Sequence, residues 1–280
     1  MTDDRSERPS VAAPLLSVRG LTQRFGGIIA NQDVSFDVMP QSVTALIGPN
    51  GAGKTTVFNC VTGFYRASAG QIVFNDGRRL VQVNDLLDRF FIGGSHLVAR
   101  AGIARTFQNI RLFKDMTVLE NLLVAQHRAL DGNLWRGFLG SAHYHRQEDL
   151  ALESAWRWLD TVGLADAGNR LAGELPYGQQ RRLEIARAMC GKPRLICLDE
   201  PAAGLNPRET EALSDLITEL REHHEVTILL IEHDMGLVMG ISDHIIVLDH
   251  GCVIAQGDAE AIRGNPAVIA AYLGGEEDLT

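Results

Sequence analysis

Apolar and polar residues alternate along Leu16-Ser17-Val18 and again along Val34-Ser35-Phe36-Asp37-Val38. A period of two predicts half-exposed antiparallel strands between Leu16 and Val38. The pattern then changes. Val43-Thr44-Ala45-Leu46-Ile47 suits a buried strand, and Gly48-Pro49-Asn50-Gly51-Ala52-Gly53 after it is too rich in glycine and proline to continue a strand or a helix. A helical pattern follows from Lys54 to Thr62, and Gln71-Ile72-Val73-Phe74 reads as another strand. Gly77 to Ala101 mixes polar residues with the apolar patch Phe90-Phe91-Ile92-Gly93-Gly94 and fits no single period. From Thr117 to Leu164 the spacing is mostly helical, with a loop near Asp131-Gly132-Asn133. Pro176 to Met189 predicts an amphipathic helix. Arg194 to Leu198, Thr227 to Ile231 and Ile245 to Leu248 are short buried strands, separated by helices such as Arg208 to Glu222. Strands alternating with helices imply a mainly parallel sheet covered on both faces, so the fold class is α/β. Asn109 to Leu171 reads as a helical insertion into that core.

Composition narrows the function classes. With 280 residues, 45% hydrophobic and 22% charged, the chain can bury a core without disulfides or metals, which excludes wholesale disorder. The longest uninterrupted apolar run, Ala267 to Leu273, is far short of the roughly 20 residues of a membrane-spanning helix. The polar opening, residues 1–14, lacks the apolar stretch of a secretory signal and reads as a tail. A formal net charge of −9 argues against a general nucleic-acid binder. Cys60, Cys190, Cys197 and Cys252 form no CxxC pair, and Cys190 and Cys197 sit in apolar surroundings, so reduced thiols are expected.

The loop Gly48 to Thr55 fits G-x-x-x-x-G-K-[ST], and it has the required context of a strand before it and a helix after it. Glycines let the backbone curl around a phosphate with its N–H groups inward. The helix opening near Gly53 adds its positive end. Lys54 then reaches the β- and γ-phosphates, and the Thr55 hydroxyl ligates Mg²⁺. Such a site needs an acidic metal ligand at the end of a neighbouring buried strand. Leu195-Ile196-Cys197-Leu198 leads to Asp199 and Glu200, where one carboxylate can hold metal and the other orient water.

Phe25, Gly48 to Thr56, Gln108, Leu175-Pro176-Tyr177-Gly178-Gln179, Asp199-Glu200 and His233 occur in the order used by the ATP-binding subunits of ABC transporters. The resemblance spans Leu16 to Leu273. Arg105-Thr106-Phe107-Gln108, the run from Leu175 to Arg187, Glu200-Pro201-Ala202-Ala203-Gly204-Leu205-Asn206-Pro207 and Ile231-Glu232-His233-Asp234-Met235 most resemble the ATPase of high-affinity branched-chain amino acid importers. The resemblance implies a RecA-like P-loop core, an antiparallel β subdomain and a helical subdomain inserted at about 109–190, all within residues 15–273, with a C-terminal tail at 274–280.

The same resemblance implies roles. Phe25 stacks on adenine, and Gly48, Pro49, Asn50, Gly51, Ala52, Gly53, Lys54, Thr55 and Thr56 bind the phosphates of ATP. Thr55, Gln108 and Asp199 serve Mg²⁺. Glu200 activates water, assisted by His233 and Gln108. Pro176, Tyr177, Gly178 and Gln179 form the signature segment, which contacts ATP held by the opposite subunit. That segment departs from the usual L-S-G-G-Q: Pro176 supplies neither a hydroxyl nor an N–H, yet it can begin a helix whose amides still bind phosphate. Asn206 replaces the Asp that many relatives carry. The implied partners are two integral-membrane permease subunits, a second ATPase subunit (heterodimer or homodimer) and, indirectly, a substrate-binding protein; nucleic acid is not among them. The implied location is cytoplasmic, on the inner face of the plasma membrane. Asn109-Ile110-Arg111-Leu112-Phe113 is the segment expected to dock a cytoplasmic helix of the permease. The alternatives are the ATPase of a urea, amide or lipopolysaccharide system and a soluble ABC-type ATPase. A GTPase or small-molecule kinase is disfavoured because N-K-x-D is absent.

Overall fold

The computed structural model describes residues 13–88, 94–126 and 142–274. Most of both tails, the patch from Phe90 to Gly93 and the loop at Asp131-Gly132-Asn133 lie outside the described residues.

Strands β1 (Leu16–Phe25), β2 (Ile28–Val38), β4 (Ala69–Asn75) and β5 (Leu80–Gln82) form an antiparallel sheet in the order β2-β1-β4-β5. Its alternating burial matches the alternating sequence: Leu16, Val18 and Leu21 are fully buried on β1 and Val34, Phe36 and Val38 are buried on β2. The second sheet runs β10-β9-β3-β8-β7-β6, with β3 (Val43–Ile47), β6 (Ile103–Arg105), β7 (Leu195–Asp199), β8 (Thr227–Ile231), β9 (His244–Asp249) and β10 (Cys252–Gly257). All its pairings are parallel except that of β9 with β10. Every residue of β3, β7 and β8 is buried, which explains why these strands read as apolar runs.

Apolar layers cover both faces. On one, Phe58 and Val61 of the Lys54–Val61 helix join Phe36, Phe74 and Leu195. On the other, Leu183 and Ile185 of the Tyr177–Met189 helix pack with Leu213, Ile217 and Leu230. Cys60, Cys190 and Cys197 are buried in these layers, and burial pushes their thiols up to about 12. All four cysteines are free, as the spacing predicted.

Several elements differ from the sequence reading. Gly77 to Ala101 contains β5 and two short helices, Val83–Leu87 and Ser95–Ala101. The strand expected at Arg194 to Leu198 is shifted by one residue, so Asp199 is its last member. Pro176 caps its helix instead of opening its first turn, and the amphipathic helix buries Arg181 and Glu184 beside its apolar residues. The Thr117–Leu164 region supplies Val118–Gln126 and Ala142–Thr161.

Register positions the site. Asp199 pairs with Ile231, and Leu46 pairs with Ile231 from the other side. β3, β7 and β8 therefore end at one level, and the glycine loop, Glu200 and Glu232-His233 all leave the sheet there. Open α/β sheets bind ligands at this edge.

Candidate functional site

The glycine loop is built for close approach. Gly48, Gly51 and Gly53 have φ of 148°, 81° and 92°, accessible to glycine at little cost. A Cβ at Gly48 would run into the Leu248 carbonyl, and one at Gly53 would meet Asn31 and the Ala30 carbonyl. Buried Asn31 donates to the Gly53 carbonyl at 3.3 Å, fixing the point where loop becomes helix. The Lys54 ammonium lies within the loop, donating to the Gly48 carbonyl at 2.7 Å and the Pro49 carbonyl at 2.9 Å. Burial pushes its pKa down, and the Glu200 carboxylate opposes that shift. An ammonium held within a glycine loop that runs into a helix N-terminus is matched to a polyphosphate.

The acidic pair divides as its backbone dictates. Asp199 ends β7 and is buried, whereas Glu200 turns out with φ of 46°, a left-handed conformation that is costly for glutamate. The Glu200 amide is tied to the Ile231 carbonyl at 2.9 Å. Its carboxylate accepts from the Gln108 side-chain amide at 2.7 Å. The His233 Nδ1 is 4.0 Å from the same carboxylate oxygen, and the His233 side chain is 65% exposed. Gln108, Glu200 and His233, far apart in sequence, thus meet in one place. Asp199 makes a different contact: its Oδ2 accepts from Arg105 at 2.6 Å.

Phe25 is 43% exposed and meets Tyr65 edge-on with ring centroids 5.2 Å apart, so it is not an ordinary core phenylalanine. The signature segment opens a helix at Tyr177, where the first amides have no intrahelical acceptor. Gly178 is buried there, and an added Cβ would collide with the Glu209 carboxylate. Asn206 caps the Pro207–His223 helix: its side chain accepts from the Glu209 amide at 3.0 Å while Glu209 returns a bond to the Asn206 amide. That capping box gives the residue a local structural task. Arg111 stacks on Phe107 at 4.2 Å, and Phe113 is half exposed beside Arg187.

Two residues assigned no role from sequence complete the site. Arg105 joins Asn59, Thr62 and Asp199 through its guanidinium, which also lies 5.2 to 5.8 Å from the ring centroids of Phe58, Phe64 and Phe107. Glu232, directly after β8, is buried; one oxygen accepts from the Ala202 amide at 2.7 Å and the other from the His233 amide at 3.0 Å. Burial pushes its pKa up against those hydrogen bonds. It ties the loop after Glu200 to the loop carrying His233. Its signal was a carboxylate directly after an apolar strand, the same signal that singled out Asp199.

Thr55, Gln108 and Asp199 offer hydroxyl, amide carbonyl and carboxylate oxygens, the hard donors that suit Mg²⁺. With Thr55 in the first turn of the helix behind the loop and Asp199 ending β7 in the same sheet, the donor set fits that ion.

The ABC transporter family profile matches residues 31–203, and a profile for branched-chain amino acid ATP-binding cassette transporters matches residues 252–278. The chain is 53% identical to the high-affinity branched-chain amino acid transport ATP-binding protein LivG of Escherichia coli (strain K12), over 94% of this chain and 99% of that one. It is also 53% identical, with the same coverage, to the corresponding protein BraF of Pseudomonas aeruginosa. The crystal structure of an ATP-binding cassette of an ABC transporter in its ADP conformation matches with a TM-score of 0.78 at 31% identity, covering 94% of this chain and 99% of that chain.

Proposed function

This chain belongs to the ABC transporter family of ATP-binding proteins, and on that premise we propose that it hydrolyses Mg·ATP to drive import of branched-chain amino acids through separate membrane subunits. The convergence of the glycine loop, the Asp199-Glu200 strand end, Gln108 and His233 at one sheet edge carries the ATPase reading. The C-terminal profile and the 53% identity to two branched-chain amino acid transport proteins support the substrate class. Among the described residues no helix is long and apolar enough to cross a membrane; the likeness to branched-chain amino acid transport ATP-binding proteins is what supports a subunit bound to two separate permease chains on the cytoplasmic face.

In this reading Phe25 stacks on adenine, and the loop amides with Lys54 bind the phosphates. Thr55, Asp199 and Gln108 would hold Mg²⁺, which when bound neutralises phosphate charge. Glu200 accepts the proton of the attacking water. Gln108 and His233, both beside its carboxylate, keep that water aligned. The buried Glu232 holds the His233 loop and the loop after Glu200 in register. Gly178 and its neighbours complete the site of a second ATPase subunit, a related chain or another copy, and a binding protein delivers the amino acid.

The composite site makes hydrolysis cooperative. Specific activity of the purified chain should rise with its concentration, and rise further with the permeases and second ATPase present. Full activity from a proven monomer would contradict the shared site. Vesicles of the assembled complex should take up leucine, isoleucine or valine with ATP; uptake of urea instead would move the substrate assignment to the related system.

A further inference from the structure

Tyr177, Arg181 and Glu184 stand on one face of the Tyr177–Met189 helix, at i, i+4 and i+7. The Arg181 side chain is wholly enclosed, at 0% exposure. Its guanidinium donates to two successive carbonyls, Phe107 at 2.6 Å and Gln108 at 2.7 Å. It also reaches Glu184 at 2.8 Å and the Tyr177 hydroxyl at 3.3 Å. Glu184 in turn accepts from the Arg111 amide at 3.2 Å. Three backbone groups between 107 and 111 are therefore held by two side chains of the helix that begins at the signature segment.

Stability does not account for this arrangement. A buried ion pair rarely stabilises more than an apolar pair of equal volume. An apolar pair, however, cannot fasten consecutive carbonyls and an amide. We propose that Arg181 and Glu184 are positioning residues that lock the Gln108 loop to the signature helix. The inference rests on the ATPase reading above. Gln108 contacts Glu200 in its own site, whereas the helix start serves the nucleotide of the second subunit. With the loop clamped, a displacement of Gln108 on ATP binding is carried to Tyr177-Gly178-Gln179 as rigid-body movement; an unclamped loop absorbs it by bending. Tyr177 belongs to the device. Its ring lies against the loop after Glu200, since a Cβ at Gly204 would stand 3.4 Å from it, and its hydroxyl meets Arg181. The glycine usual at this position in the resembling segment makes neither contact.

The test is amide hydrogen exchange on the full chain, with and without ATP, in a Glu200→Gln background that prevents turnover. In that parent, ATP should protect peptides covering 48–56, 105–112 and 176–187. Arg181→Met combined with Glu184→Leu removes the clamp and keeps the volume. In the double variant the amides of 107–111 should exchange about 10-fold faster before ATP is added, as locally opened hydrogen bonds do. ATP should still protect 48–56 with affinity within about 3-fold of the parent, while its protection of 176–187 should fall at least about 5-fold. A purely structural role would lower stability yet leave protection of 176–187 following ATP; that result overturns the proposal. If the double variant lacks a cooperative unfolding transition, Arg181→Lys keeps charge and length but loses the fork, and the same two outcomes decide. Failure of ATP to protect 48–56 in the parent would overturn the ATP-binding reading itself and leave a distinct signature.

Discussion

Arg105→Met tests how the Asp199 carboxylate is held. The two side chains are 8% and 7% exposed and meet at 2.6 Å, so neither charge has much access to water. Removing the guanidinium leaves Asp199 buried and unpaired, and breaking one side of such a pair costs about 3 to 5 kcal/mol. The lost bonds to Asn59 and Thr62 and the lost cation contacts with Phe58, Phe64 and Phe107 act in the same direction. Methionine keeps most of the volume, so the cavity contribution is small. At a urea slope of about 3 kcal/mol/M, suited to a chain of this size, the midpoint should fall by about 1 to 2 M. The double variant Arg105→Met/Asp199→Asn removes the stranded charge and should recover about half or more of that loss, a coupling visible only if the two groups act together. Urea unfolding followed by circular dichroism, without nucleotide, measures all three changes. A loss below about 1 kcal/mol, or no recovery in the double variant, would refute the claim that the pair is desolvated and mutually dependent.

Glu200→Gln should retain ATP binding and slow hydrolysis by at least about 10²-fold, as expected for loss of a general base; near-normal turnover of the assembled complex would refute the role. Phe25→Ala should weaken ATP binding by about 1 to 3 kcal/mol, the worth of an aromatic–base stack, while thermal stability changes little because the ring is 43% exposed. Equilibrium binding of ATP, checked against a thermal melt, separates these effects. Burial raises the Glu232 pKa, so the folded state holds that proton more tightly than the unfolded chain. The stabilisation from its protonated form is fully present below the ordinary glutamate range and is lost as pH rises through the folded value. Urea midpoints between pH 4 and pH 8 should show a smaller decline in Glu232→Gln than in the parent, and equal slopes would discard the assignment. Arg111→Glu should spare ATP affinity but weaken assembly with the permease, measured by copurification; lost ATP binding would show that Arg111 acts in the nucleotide site.

The glycine loop, the position of the acidic pair at a strand end and most of the buried strands were legible in the chain because their determinants are local. Gly48 to Thr55 needs only its own backbone freedom and the strand before it, and β3, β7 and β8 announce themselves by burial on both faces. Gly77 to Ala101 was not legible. Its strand and two helices have three, five and seven residues, too short to establish a period. Arg105 and Glu232 stood in motifs already noticed, yet nothing within those motifs names their partners. Parallel register decides: Arg105 pairs with Cys197 across β6 and β7, two residues before Asp199, and only that alignment brings guanidinium to carboxylate. Likewise, the spacing of Tyr177, Arg181 and Glu184 defines a shared helix face, but the crossing of that helix over residues 107–111 turns a polar face inward. Helical and strand periods follow from each residue's neighbours in sequence, so the chain itself determined them. The desolvation of a charge and the choice of its partner depend on neighbours that only packing supplies, and those were decided by the tertiary structure.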